Sequence, residues 1–343
     1  MKKYKINSLP ASYQRVINYS FLTFITCLLT WAVTLTGCTQ QNSPQAGQSS
    51  TNVTKPNVVN IGHQKGTPGL NLLKAQQLLE KRLTPEGIKV KWIEFRGGPP
   101  MMEAMASGNV DIGNVGNLPP IFAQAGGNQI VYVAATASNA GAQAIVVPKD
   151  SPIKTLTDLK GKRLAIQKGT ALQYLALKAL ESAKLTLNDI KPVYLNIPDS
   201  ITAFEGGQVD AIPISDPYYA QKEKAGTIRI LAKGSDIAPQ RAYYIATQNF
   251  AQKHPELVKI ILEEQRKVED WAKSHKNEVA QLLAKQTEYD SSIWQWALDR
   301  RSYFGVFDIT DEFISEQQQV VDLFYNQKLI PKDIQIKDAI WKP

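Results

Sequence analysis

Six short stretches set glycine, proline or small polar residues where an apolar-rich run gives way to a helical pattern: 66–69, 97–100, 117–120, 168–170, 198–200 and 215–217. Helix N-termini carry N–H groups without intrahelical acceptors and a partial positive charge, so several of them converging on one cleft would bind an anion. Gly and Pro are also ordinary punctuation at strand-to-helix turns, so any single stretch, taken alone, reads first as structural. Their number is what points to binding.

Catalytic chemistry is harder to assemble. His63, His254 and His275 lie far apart; His63 ends a strand, and no paired nucleophile accompanies it. Asp111, Asp210 and Asp216 stand at strand ends, where a carboxylate can act as acid or base but also serves to cap a helix or form a turn. Cys27 and Cys38 are the only thiols, too few for a disulfide scaffold or a Cys/His zinc cage. No phosphate-binding loop, dinucleotide fingerprint or HExxH motif occurs. The sequence thus predicts no catalytic residue, no metal and no cofactor.

The elements that must position these turns alternate strand and helix. Runs at 58–64, 89–95, 110–116, 130–137 and 142–148 read as strands, and a second series follows at 162–167, 192–196, 209–214, 227–234 and 242–248. Helical patterns fill the intervals and dominate from residue 250 onward, near 251–273, 275–286, 291–300 and 310–327. Such alternation implies α/β crossovers and largely parallel sheets. The second series echoes the first without close sequence repetition, which predicts two lobes: residues 58–142 plus 246–343, and residues 143–245. The β-rich runs AIVV and YYIA suit connections between lobes that form a hinge, or equally core strands of a sheet.

Ahead of this body, residues 1–37 contain Lys2, Lys3, Lys5 and Arg15 and no acid, so half of the formal net charge of +8 belongs to them. The apolar run at 21–37 is shorter than the roughly 20 residues of a spanning helix and fits a signal-peptide core, an uncleaved anchor being the other reading. It ends in Leu35-Thr36-Gly37-Cys38, which resembles a bacterial lipobox whose cysteine becomes the lipidated N-terminus. Residues 38–57 are polar, with Val53 the one large apolar residue, and predict a flexible tether. The body is therefore expected outside the cytoplasm, on the periplasmic side. The charge left on it is weak evidence for nucleic acid, and none is expected as a partner.

The body resembles the aliphatic sulfonate-binding proteins, the extracytoplasmic solute receptors of ABC importers, within a group that also handles taurine, nitrate and thiamine precursors. The resemblance lies in HQKG (63–66), QLLEKR (77–82), GNVDIGNVGNLPPIFAQA (108–125), SPIKTLTDLKGKRLAIQKG (151–169), VDAIPISDPYY (209–219) and VVDLFYNQKLIPKDIQIKDAIW (320–341). It implies a two-lobed periplasmic-binding-protein fold of the type II kind, with mixed, mostly parallel sheets and a hinge, closing on a sulfonate or related small anion. It also implies a monomer that hands its solute to the permease subunits and meets the membrane through a lipid on Cys38. An enzyme on the same fold, or a receptor for another solute such as an aromatic compound, is the alternative.

For such a ligand the turns offer Gln64, Lys65, Gly66, Gly97, Gly98, Asn117, Gly169 and Thr170 as donors. Arg96 could pair with an acidic group of the ligand or lie on the surface, Asp216 stands at one of the turns, and Tyr218 or Tyr243 could pack an alkyl chain. Family members often carry an acid where Asn117 stands and tryptophans where Ile212 and Ser215 stand, which predicts a differently shaped pocket.

Overall fold

In the computed structural model, which describes residues 55–65, 67–301 and 304–343, β1 (Val58–Gln64) runs parallel to both β2 (Lys89–Phe95) and β3 (Ile112–Gly116). The expected leader, Cys38, the tether as far as residue 54 and Gly66 lie outside the described residues. Helices α1 (Pro68–Gln76), α2 (Leu78–Leu83), α3 (Gly98–Ala106) and α4 (Leu118–Ala125) connect these strands to one another and to β4 (Ile130–Ser138). Val59 and Ile61 of β1 bury one face of the sheet against Leu72, Leu73 and Leu79. On the opposite face Met101, Met105, Leu118 and Ile121 form a second core. Each fully buried side chain of this size contributes about 1.5–3 kcal/mol.

The chain then crosses to β5 (Gln143–Pro148), β6 (Arg163–Ile166), helix α5 (Ala171–Ser182), β7 (Lys191–Tyr194), α6 (Ile197–Glu205), β8 (Ile212–Ser215), α7 (Tyr218–Lys224), β9 (Ile228–Lys233) and α8 (Gly234–Ile237). It returns in β10 (Arg241–Thr247), continues through α9 (Gln248–Lys253), α10 (Pro255–Ser274), α11 (Lys276–Gln286) and α12 (Ser291–Asp299), and closes with β11 (Val306–Phe307) and α13 (Asp311–Asn326). One sheet has the order β11-β4-β10-β3-β1-β2; the other lobe holds β8-β5-β9 and the pair β6-β7, joined by a bridge between Leu164 and Ala211.

The two-lobed, mixed α/β architecture is the expected one, with a larger antiparallel share. Among the described ladders β1–β2, β1–β3 and β6–β7 are parallel, while β5 and β10 pair antiparallel on both sides. Both strands follow the short crossings between lobes, and each is inserted in the middle of its sheet. AIVV and YYIA are thus core strands, and the crossings proper are 139–142 and 234–240. The two crossings are tied together by Asn139 N–H, which donates to the Gln240 carbonyl at 2.8 Å, and the first is tied to the end of β8 by Asp216 N–H, which donates to the Ala142 carbonyl at 2.9 Å. Gly234 sits so close that a Cβ there would lie 2.5 Å from the Ala140 carbonyl oxygen, so no other residue fits without moving the backbone.

Candidate functional site

The lobes meet along the ends of their strands. A Cβ on Gly116, at the end of β3, would stand 3.0 Å from the Ala171 Cβ at the start of α5, and one on Gly169 would stand 3.3 Å from Pro99 Cγ. Behind these contacts lies an inner cavity of about 180 Å³. Gln64, Gly98, Asn114 and Thr136 wall it from the first lobe, Gln143, Thr170, Leu172 and Asp216 from the second, and Glu269, Trp294 and Arg301 from the C-terminal helical region. An outer cleft of about 660 Å³ shares Gln64, Thr67, Ser215 and Asp216 with it and adds Lys65, Arg96, Ile212 and Tyr218. A side groove lined by Arg96, Gly97, Lys168 and Thr170 completes the mouth.

Helix ends converge here, with different donor capacity. The first turns of α1, α3 and α4 reach the inner cavity through Pro68, Gly98 and Pro119, but prolines at their first positions remove N–H groups. In α5 Ala171 and Leu172, both at the cavity wall, keep theirs; as the first two helical residues they have no intrahelical acceptor. Thr170 makes no side-chain cap, because its hydroxyl donates to the Gln167 carbonyl at 2.7 Å. The buried oxygens of Asn139 and Gln143 have no partner. A primary amide presents either its acceptor or its donor end to a ligand, so both residues can supply N–H groups.

The wall also holds acids. Asp216 follows β8; its Oδ1 accepts from Ala220 N–H at 3.0 Å, and its Oδ2 lies 3.3 Å from Arg300 Nε. Burial pushes its carboxyl up to about 7, against the pull of Arg300. Glu269 on α10 is also raised by burial, opposed by Arg301 at 3.8 Å and by the Gly305 N–H it accepts at 3.2 Å. Lys65 at the mouth is held up by its hydrogen bond and 2.7 Å ion pair with Glu288.

The structure thus brings Gln64, Lys65, Arg96, Gly97, Gly98, Thr170, Asp216 and Tyr218 to one cleft. Gly169 borders it, in contact with Pro99 across the lobes, with its N–H donated to Gln173 Oε1 at 2.7 Å. Asn117 lies apart: it is buried, and its carbonyl accepts from Gln317. Tyr243 is a correction. It packs edge-on against Tyr132 with its hydroxyl toward the Phe313 carbonyl, on the core face of β10, whereas Ala242 beside it lines the cavity. His63 is buried against Trp92 and outside the cavity lining. Asn139, Gln143, Glu269 and Arg301 were not anticipated. The two amides had one legible signal, polar residues directly beside an apolar strand.

Residues 83–279 match the family model described as NMT1/THI5 like. A curated relative from Escherichia coli (strain K12), named for aliphatic sulfonate binding, is 39% identical over 288 residues, covering 84% of this chain and 90% of the relative. The chain belongs to the aliphatic sulfonate-binding protein family. Among solved structures it is similar to the alkanesulfonate-binding protein from Xanthomonas axonopodis pv. citri bound to MOPS, with a TM-score of 0.81 at 32% identity, covering 84% of this chain and 100% of that one. A desulfurization enzyme at 14% identity and TM-score 0.62 shares the fold alone. In this member of the sulfonate-binding family Ile212 and Ser215, the positions for which a differently shaped pocket was expected, line the outer cleft.

Proposed function

We propose that the protein is the extracytoplasmic solute receptor of an ABC importer, held to the membrane by a lipid on Cys38, and that it captures an aliphatic sulfonate or related small anion between its lobes for delivery to the permease. The observation that carries this reading is the inner cavity walled by both lobes, with Ala171 and Leu172, whose N–H groups have no intrahelical acceptor, on one wall and Gln64 and Gly98 on the other. A sulfonate stays ionised at any physiological pH, so neutral N–H and O–H donors suffice to hold it. Lys65 and Arg96 stand at the mouth, and Tyr218 offers a ring to the alkyl portion. Closure follows because a ligand shifts an equilibrium only by its differential affinity, and only the closed form offers both walls at once. In this reading the protein acts as a monomer, without a catalytic step.

The acids Asp216 and Glu269 favour a second reading within the same class, a sulfonate that also carries a donor such as an ammonium group. Calorimetry against alkanesulfonates, taurine, nitrate and thiamine precursors tests both. Micromolar or tighter binding of a sulfonate is expected, with taurine ahead of ethanesulfonate under the second reading. Failure of every sulfonate while another class binds would overturn the substrate assignment.

A further inference from the structure

Arg300 does not line the inner cavity, yet it contacts Asp216, which does. It caps the C-terminus of α12, and its carbonyl oxygen lies 3.4 Å from where a Cβ on Gly141 would stand, in the crossing between lobes. Its guanidinium stacks 4.0 Å over the ring of Tyr219, donates to Glu223 and sets Nε 3.3 Å from Asp216 Oδ2. Glu223 is shared further: it accepts from Trp296 Nε1 at 2.7 Å, while Lys224 donates to Ser292 Oγ at 2.5 Å. Helix α12 is therefore seated along α7 of the second lobe by a charged and aromatic clasp with Arg300 at its centre. The side chain of Arg300 is 17% exposed and that of Asp216 9%, so the pair is only weakly screened by water.

We propose that Arg300 is a positioning residue of the binding site, fixing the charge and aim of the Asp216 carboxylate at the cavity wall through its clasp on Glu223 and Tyr219. The role of Asp216 toward solute rests on the proposed receptor function; the Arg300–Asp216 linkage does not. Asp216 has two demands on it. Its Oδ1 is held by Ala220 N–H, and its buried Oδ2 has no hydrogen-bond donor and meets only the Arg300 cation. The other charged groups acting on it are Glu223, which favours the neutral carboxyl, and Arg301, which favours the carboxylate. Glu269 and the Tyr219 hydroxyl belong to the same neighbourhood. Burial alone would hold Asp216 neutral, and Arg300 is the principal force toward the carboxylate. Removing that cation moves its titration upward; for a plain alkanesulfonate the neutral form repels less, so affinity falls as pH rises through the titration.

The test follows the carboxyl carbon of Asp216 by NMR in protein labelled at its aspartates, assigned by its loss in Asp216→Asn, with and without saturating ethanesulfonate. Wild type is expected to titrate near neutrality. Arg300→Gln should move the midpoint upward by about one unit, a tenfold change in protonation equilibrium, and Arg300→Lys should restore much of it. The ethanesulfonate Kd of wild type should weaken about tenfold across the titration if binding shifts the midpoint by one unit, and Asp216→Asn should flatten that profile. A midpoint unchanged by Arg300→Gln in both states overturns the proposal, provided circular dichroism shows the variant folded; should that variant not fold, a midpoint unchanged by Arg300→Met, which keeps the length of the side chain over Tyr219 without its charge, overturns it. If wild type binds no sulfonate, the receptor reading fails while the ligand-free titration still decides the role of Arg300.

Discussion

Replacing Gly116 by leucine should separate the lobes without unfolding either. The three atoms nearest a Cβ at this position are those of Ala171, at 3.0, 3.8 and 4.0 Å, and all belong to the opposite lobe. Ordinary carbon contacts fall at about 3.5–4.0 Å, so the first added carbon intrudes by about half an ångström or more, and the next three must either part the lobes or enter the inner cavity that Gly116 lines. The backbone at Gly116 is not left-handed, so a leucine there is unstrained. Overpacking of this kind costs about 1–3 kcal/mol. Because the ligand-free protein can escape it by opening, the cost falls on closure and weakens Kd by roughly 5- to 150-fold. Calorimetry with the best-binding sulfonate measures that loss, and thermal denaturation without ligand should show a change below about 0.5 kcal/mol. Unchanged affinity would refute the closure argument. So would a ligand-free protein that loses the full amount, since the two walls would then be permanently packed.

Gly98→Ala provides the contrast. Its Cβ would lie 2.3 Å from Pro119 Cγ, within one lobe, so urea denaturation should show a loss of about 1–3 kcal/mol with or without ligand. Asp210 accepts from Arg163 through its backbone N–H at 2.7 Å and its guanidinium at 2.6 Å, and the Arg163 hydrogen bonds hold its carboxyl below the ordinary aspartate range. A depressed carboxylate stabilises the fold above the unfolded value near 4 and loses that contribution as pH falls through the folded value. Asp210→Asn should therefore destabilise by about 1–2 kcal/mol at pH 7, partial exposure trimming the gain. The gap between variant and wild type should shrink below pH 4; a gap constant with pH would remove the charge from the explanation.

How much of this was legible in the sequence divides along the length scale of the interactions. The ten longer strands were readable because alternation and apolar runs are local, whereas β11, two residues against the edge of β4, has no pattern long enough to show. The antiparallel placement of β5 and β10 depends on a chain that leaves one lobe and returns a hundred residues later, and periodicity carries no information on direction. Tyr243 illustrates the sharpest local limit. Ala242 lines the cavity while Tyr243, one residue on, points to the opposite face of β10, so strand alternation decides which neighbour reaches the site. Turn residues were legible as site candidates because turns end strands. Glu269, Trp294 and Arg301 were not, since on amphipathic helices they look like any buried or solvated position until those helices fold back over the cavity.

That fold-back also shows why the net charge was a poor guide to an anion site. Around the cavity the cations are spoken for by acids: Lys65 by Glu288, Arg300 by Asp216 and Glu223, Arg301 by Glu269. Arg96 and Lys168 have no acidic partner among the described residues, and both stand at the mouth, where Lys168 lies 4.1 Å over the Tyr194 ring. Arg96 and Lys168 favour the approach of an anion, against the Asp199 carboxylate of the same groove, while the interior offers donors without surplus charge. A bare buried cation would hold sulfate and phosphate as readily as a sulfonate. Neutral donors backed by acids instead penalise a second negative charge, so a singly charged head with an apolar or donor-bearing tail is the solute that this wall discriminates best.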